Sequence, residues 1–292
     1  MDNPTGVATI HSAITEAEAL LASAGIEGPR LAAEALMGHK LGVDRAGLYV
    51  RMREPLDDGK RAAFDALVKR RASREPLQYI TGEAEFLGHA FSVTSDVLIP
   101  RPETELLVTR GAGVLSGTGG GLAADIGTGS GCIAVSLALL VPGAKVYAVD
   151  SSKPALALAA KNADAHGVEG RVKLLFGDLL SPLSGEGFTG GLDLIVSNPP
   201  YIPSGDIPGL QPEVLFEPMS ALDGGPDGLD AIKRLITDAP NYLRPGGTLL
   251  MEIGLGQAEA VRRLIAKESG LSLLEFIKDF QGIERVLAAR RN

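Results

Sequence analysis

The chain is 292 residues long and carries 28 Lys and Arg against 36 Asp and Glu, a formal charge of −8. Its 45% hydrophobic and 22% charged content is that of a globular protein, excludes a disordered tail or a fibre, and the length points to about two domains. A single cysteine, Cys132, excludes a disulfide scaffold and a cysteine-based zinc site, and the acidic balance argues against gripping nucleic acid by phosphate neutralisation alone.

The opening residues, MDNPTGVATIHSAI, show neither a basic leader nor an apolar stretch, and no run approaches the ~20 apolar residues of a membrane span. A cytoplasmic protein is expected. Residues 1–75 have helical periodicity. Ile10, Ile14, Ala17, Leu21 and Ala24 line one face, with Thr15 and Glu18 at capping-box spacing inside that pattern. Pro29 opens a second helix whose stripe is Leu31, Ala35, Leu36 and Leu41, ending at Gly42. Asp57 and Asp58 precede a third run with Phe64, Leu67 and Val68. Lys60, Arg61, Lys69, Arg70, Arg71 and Arg74 make this helix basic, which fits either a solvated face or contact with an acidic partner.

Residues 76–100 change to short β-like pieces, 77–81 and 86–93, broken by Gly82 and Gly88, as in a hairpin connector. A short helix near 103–110 and a glycine-rich loop over 111–121 follow. Beyond them, strand-like runs at 122–126, 145–149, 172–176, 192–196, 248–253, 271–276 and 285–289 alternate with helical ones. That alternation predicts an α/β domain over 101–292 with a mostly parallel sheet.

Three anchors carry chemistry. The first, Asp125-Ile126-Gly127-Thr128-Gly129-Ser130-Gly131, runs from a strand into an apolar helix. Its glycines allow a tight turn and let a ligand lie against backbone N–H groups. A dinucleotide fingerprint would put its third glycine at position 132, but Cys132 stands there; G-x-G-x-G after an acidic residue resembles the pattern of S-adenosylmethionine-dependent methyltransferases, with a purely structural glycine turn as the alternative. The second anchor is Asp150, at the end of the next strand, where its carboxylate can take ribose hydroxyls or cap the following helix. Asp178, after the third strand, can meet an adenine amino group or cap its own loop.

The third anchor is Asn198-Pro199-Pro200-Tyr201, at the end of the fourth strand. The Asn198 carboxamide oxygen and the Pro199 carbonyl can accept both protons of a planar NH₂ group, which Tyr201 can cover with its ring. Holding that group aims its lone pair at a sulfonium methyl, so catalysis would come from orientation and electrostatics. Metal chemistry is not expected, because His11, His39, His89 and His166 are scattered.

Asp125 to Gly131, Asp150 and Asn198 to Tyr201 resemble class I methyltransferases acting on planar amino groups. Three further segments narrow the resemblance: Pro76-Leu77-Gln78-Tyr79-Ile80-Thr81-Gly82, Val97-Leu98-Ile99-Pro100-Arg101-Pro102-Glu103-Thr104-Glu105, and Phe216-Glu217-Pro218 with Ala221-Leu222 and Gly224-Gly225. With them the chain resembles the bacterial peptide-chain release factor glutamine methyltransferases along nearly its whole length. The resemblance implies a Rossmann-like domain preceded by a helical bundle that recognises substrate. It implies methyl transfer from S-adenosyl-L-methionine to the side-chain amide nitrogen (N5) of the glutamine in the Gly-Gly-Gln motif of class I release factors. Carried over by position, Gly127, Thr128, Gly129, Ser130, Gly131, Asp150, Asp178, Leu179 and Asn198 would bind cofactor. Asn198, Pro199, Pro200 and Tyr201 would receive the glutamine amide, with Asn198, Pro199 and Tyr201 catalytic. Some relatives place an aromatic residue where this chain has Leu179. Arg101 and Glu103 would shape the substrate entrance or tie the hairpin to the catalytic domain. A monomer with no membrane or nucleic-acid partner is expected. The alternatives are a methyltransferase for exocyclic amines of DNA or RNA, and a cofactor-binding module without chemistry.

Overall fold

A computed structural model describes residues 8–187 and 190–292. The chain forms two compact units, one running to Gly82 and including Gln211–Phe216, the other comprising Glu83–Leu210 and Glu217–Asn292.

The first unit contains α1 (Ile10–Ser23), α2 (Pro29–Leu41), α3 (Arg45–Arg51), α4 (Asp58–Ala72) and α5 (Leu77–Thr81). Its core joins Ile10, Ile14 and Leu21 of α1 to Leu36 and Met37 of α2, Leu48 of α3, Phe64 and Val68 of α4 and Ile80 of α5. Four details differ from the sequence-based expectations. The capping box is formed six residues earlier, by Thr9 and Ser12, because Thr15 lies inside α1 and spends its hydroxyl on the His11 carbonyl. In α2 the buried stripe is Ala32, Ala33, Leu36 and Met37, while Leu31 faces solvent. The helix α3 had no strong periodicity to announce it; Asp44 caps it by accepting the Gly47 N–H. Residues 77–81 are helical rather than β-like, as Pro76 starts the turn and Gly82, at φ 79°, stops it.

The second unit opens with a hairpin, β1 (Glu83–Phe86) and β2 (His89–Ser92), whose two-residue turn puts Leu87 and Gly88 at φ 51° and 74°. The helix α6 (Pro102–Ser116) follows. It runs through most of the segment expected to be a glycine-rich loop. Gly111 lets it pack closely: an added Cβ there would lie 3.1 Å from Leu194 and 3.2 Å from Leu137, while Leu115 is fully buried. The remaining elements are β3 (Leu122–Ile126), α7 (Cys132–Leu140), β4 (Lys145–Asp150), α8 (Lys153–Ala165), β5 (Val172–Phe176), β6 (Leu192–Ser197), α9 (Met219–Leu222), α10 (Asp230–Tyr242), β7 (Leu243–Glu252), α11 (Ala258–Lys267), β8 (Leu271–Lys278) and β9 (Glu284–Arg291).

The seven-stranded sheet has the order β5-β4-β3-β6-β7-β9-β8. Strands β3 to β7 pair in parallel, and β9 pairs antiparallel with both β7 and β8. Both faces of the sheet are covered by apolar clusters, one built on α6 and α7 with the hairpin residues Phe86 and Phe91, the other on α10 and α11. This is the Rossmann-like arrangement of class I methyltransferases. The chain order reverses between β3 and β6, so the carboxyl ends of these neighbouring strands diverge into a crevice, where open α/β sheets take ligands.

Candidate active site

A cavity of about 330 Å³ opens at that crevice, within the second unit. Loops following four successive strands line it: residues 127–130 after β3, 150–152 after β4, 177–179 after β5, and Asn198 with Pro200 after β6.

The turn after β3 is held from below. Buried Asp125 accepts the Thr128 hydroxyl (2.6 Å) and the Ala134 N–H (3.1 Å) on one carboxylate oxygen, while its other oxygen is buried without a partner. Burial pushes its pKa up to about 7, with the nearby Asp150 charge adding to the shift. Burial likewise pushes the Cys132 thiol up to about 12, so it stays neutral. Gly127 and Gly129 have positive φ, 74° and 55°, and open space where a side chain would begin, so a ligand can approach their backbone. Thr128 and Ser130 line the cavity and are almost wholly buried. Gly131 departs from the cofactor-binding expectation. It does not line the cavity, and an added Cβ would sit 3.0 Å from Ala159, so it serves the close approach of α7 and α8.

Asp150 accepts the Gly129 N–H (2.8 Å) on one oxygen and the Ser152 N–H (2.8 Å) on the other. It is not the helix cap, since Ser152 caps α8. Each oxygen of Asp150 keeps accepting capacity for a hydroxyl at the cavity wall. Asp178 also lines the cavity, where its carboxylate pairs with Arg234. Both partners are more than half exposed, so the pair is weak and exchangeable. Leu179 lines the same wall at φ 46°, left-handed for a side chain that disfavours it, and packs on the second core cluster.

The Asn198 corner is built on a chain of hydrogen bonds. Asn198 Nδ2 donates to Thr104 Oγ1 (3.1 Å), Thr104 donates to Glu252 Oε2 (2.7 Å), and the Tyr201 hydroxyl donates to Glu252 Oε1 (3.3 Å). Glu252, at the end of β7, is 2% exposed, and burial pushes its pKa up to about 7. The Tyr201 hydroxyl is raised as well, by burial first and then by the Glu252 charge. Asn198 and Pro200 line the cavity. Pro199 is buried and Tyr201 lies outside the lining, its ring against the second core cluster. Gln257 braces the corner further, donating to the Tyr201 carbonyl (2.9 Å).

Arg101 and Glu103 were expected either to shape the substrate entrance or to tie the hairpin to the catalytic domain. Arg101 lines the cavity and pairs with both oxygens of Glu217, whose side chain is only 1% exposed. Glu105, not Glu103, ties in the hairpin by accepting the Leu87 N–H (2.8 Å). Sequence reasoning missed Thr104, Glu252 and Arg234, although the Arg-Pro-Glu-Thr-Glu string pointed at the first. Among the described residues, no cluster of three His, Cys, Asp or Glu is placed to hold a metal, and no helix is long and apolar enough to cross a membrane.

Comparison with known proteins places the chain by sequence and by fold. Residues 12–82 match the family model "PrmC N-terminal domain", and residues 104–209 match "Methyltransferase small domain". A release factor glutamine methyltransferase of Geobacter sulfurreducens is 47% identical over 97% of this chain and 96% of its own. One of Moorella thermoacetica is 44% identical over 97% of this chain and 99% of its own. Among solved structures, the hMettl16 catalytic domain superposes with a TM-score of 0.53 at 16% identity, over 80% of this chain and 81% of that one. The T. thermophilus 16S rRNA N2 G1207 methyltransferase does so at 0.50 and 21%, over 72% of this chain and 50% of that one. These two share the fold. Its sheet and crevice give the chain the methyltransferase fold, and by sequence it belongs to the release factor glutamine methyltransferase family.

Proposed function

We propose that this protein methylates the side-chain amide nitrogen (N5) of the glutamine in the Gly-Gly-Gln motif of class I peptide-chain release factors, with S-adenosyl-L-methionine as donor. The observation that carries this reading is the Asn198 corner: a proline-stiffened loop at the mouth of the crevice, with its carboxamide nitrogen already committed to Thr104 and its oxygen not. Exposed backbone at Gly127 and Gly129 and the Asp150 carboxylate fit a nucleoside with two ribose hydroxyls. Thr128, Ser130, Asp178 and Leu179 would complete the walls around it.

Bound there, S-adenosylmethionine supplies an electrophilic methyl on a sulfonium centre. The chain's part is to hold the nucleophile. Asn198 Oδ1 and the Pro199 carbonyl accept the two N–H protons of the glutamine amide, raising electron density on nitrogen and fixing its lone pair toward the methyl. With the cofactor held at that wall, the methyl would pass to the amide nitrogen while the sulfur keeps the bonding pair, and Asn198 Oδ1 and the Pro199 carbonyl would pass the surplus N–H proton to solvent. Pro200 and Tyr201 keep the corner from yielding; the Tyr201 ring, expected to cover the amide, instead packs on the second core cluster and stiffens the loop from behind. The helical unit is assigned to gripping the protein substrate, because a glutamine on a loop offers too little surface for discrimination. A monomeric cytoplasmic enzyme fits this role.

The test is transfer of radiolabelled methyl to purified release factor, with a Gln→Ala control in its Gly-Gly-Gln motif and with duplex DNA and rRNA as competing substrates. Label is expected only on the intact release factor. Label confined to nucleic acid would end the proposal in favour of a base amine methyltransferase.

A further inference from the structure

The chain of hydrogen bonds behind Asn198 has a direction. Glu252 receives protons from both neighbours, so the Thr104 hydroxyl hydrogen is spent on Glu252 and its oxygen can only accept. Asn198 therefore meets Thr104 with its NH₂ end, which leaves Oδ1 as the uncommitted end at a residue that lines the cavity. Protonate Glu252 on Oε2 and the two links leading to Asn198 reverse, while Tyr201 still donates to Oε1. Thr104 would then donate to Asn198 Oδ1, and the carboxamide would turn its NH₂ outward.

We infer that Glu252, acting through the Thr104 hydroxyl, sets which end of the Asn198 carboxamide faces the substrate, making Glu252 and Thr104 positioning residues for amide methylation. The inference rests on the acceptor role proposed for Asn198. An outward NH₂ would confront the NH₂ of the glutamine with a donor where it needs an acceptor, a mismatch costly for a buried pair. Only an anionic group at position 252 enforces the productive arrangement, because a neutral acid or an amide there has a donor of its own to offer Thr104.

The environment gives this device a pH dependence. Facing Glu252 are Thr104 and Glu103 from α6, Tyr201 from the corner and Arg285 from β9; Glu103 favours protonation, while Arg285 and the two hydroxyls oppose it, and burial outweighs them. With its pKa pushed up to about 7, Glu252 loses its charge as the pH falls through neutrality, and turnover should fall with it.

The experiment measures kcat for release factor methylation from about pH 6 to pH 9 for the full-length wild type and for Glu252→Gln, Thr104→Val, Thr104→Ser and Asn198→Ala, with S-adenosylmethionine affinity measured separately by calorimetry. Glu252→Gln is expected to lose about 30-fold or more in kcat and to give a flat profile, with cofactor affinity within about threefold of wild type. Thr104→Val should lose as much, and Thr104→Ser should recover most of it. Wild-type turnover by Glu252→Gln or by Thr104→Val would overturn the inference. So would a Glu252→Gln profile that keeps the wild-type acidic limb. Should Glu252→Gln fail to fold, the Thr104→Val and Thr104→Ser pair decides alone. Asn198→Ala separates the two readings: if it keeps its turnover, the acceptor role itself is wrong; if it is inactive while the other variants turn over normally, only the orientation device is wrong.

Discussion

Asp125 sits where β3 gives way to the glycine turn, wholly buried, with both of its hydrogen bonds converging on one oxygen. Its pKa is raised from the ordinary 3.8 to about 7. The unfolded chain ionises near the ordinary value while the folded protein keeps its proton until about neutrality. The stability this group contributes is therefore whole in acid and lost as the pH rises between those two values, at about 1.4 kcal/mol per pH unit. An asparagine retains the single accepting oxygen and removes the titration. Asp125→Asn is expected to flatten the fall of the thermal midpoint between about pH 4 and pH 7 and to gain on the wild type at pH 8. Midpoints that run parallel across that range would contradict the assignment. Residues of this kind were partly legible. Asp125 and Asn198 announce themselves by the glycine and proline signals at their strand ends, and Asp150 because it closes the strand that follows the glycine turn. Glu252 does not, since its partner Thr104 lies 148 residues away and no local pattern marks a carboxylate whose role is to orient another side chain.

At the scale of elements, the strands were legible because buried parallel strands are short apolar runs bounded by turn residues. The glycine-rich stretch after residue 110 was not, because Gly111 is there for a helix crossing the sheet closely, and that reason exists only in three dimensions. Another long-range tie joins the hairpin to the glycine turn. Asn162 on α8 donates to the carbonyls of Ser92 (3.0 Å) and Ser130 (2.8 Å) and accepts the Ser92 N–H (2.8 Å). It is 1% exposed, so truncation leaves three backbone groups without their partner, the Ser130 carbonyl among them buried. Asn162→Ala is expected to destabilise the fold by about 2 kcal/mol and, through the Ser130 carbonyl, to weaken S-adenosylmethionine binding. Denaturant unfolding and calorimetry would check both; unchanged cofactor affinity would mean that the turn holds its shape without this brace.

For the whole molecule, the charge distribution bears on how a partner is met. The basic helix α4 left two readings open, and the ion pairs of most of its cations favour the solvated face. Arg61 pairs with Glu16 and Asp65, Lys60 with Asp57, Arg70 with Glu75, and Arg71 and Arg74 share Glu213. A cation already matched by a neighbouring carboxylate contributes little field at a distance, and the chain as a whole is at −8. Attraction of an acidic surface to this helix is therefore a weak contribution to substrate capture. Nucleic acid held by phosphate contacts would lose orders of magnitude in affinity between about 50 and 200 mM salt, because each neutralised phosphate releases counterions. A release factor recognised mainly by shape and by its glutamine should not. The KM for release factor is expected to change by less than about threefold over that salt interval. A steep rise would restore α4 as an electrostatic docking face and reopen a polyanionic substrate.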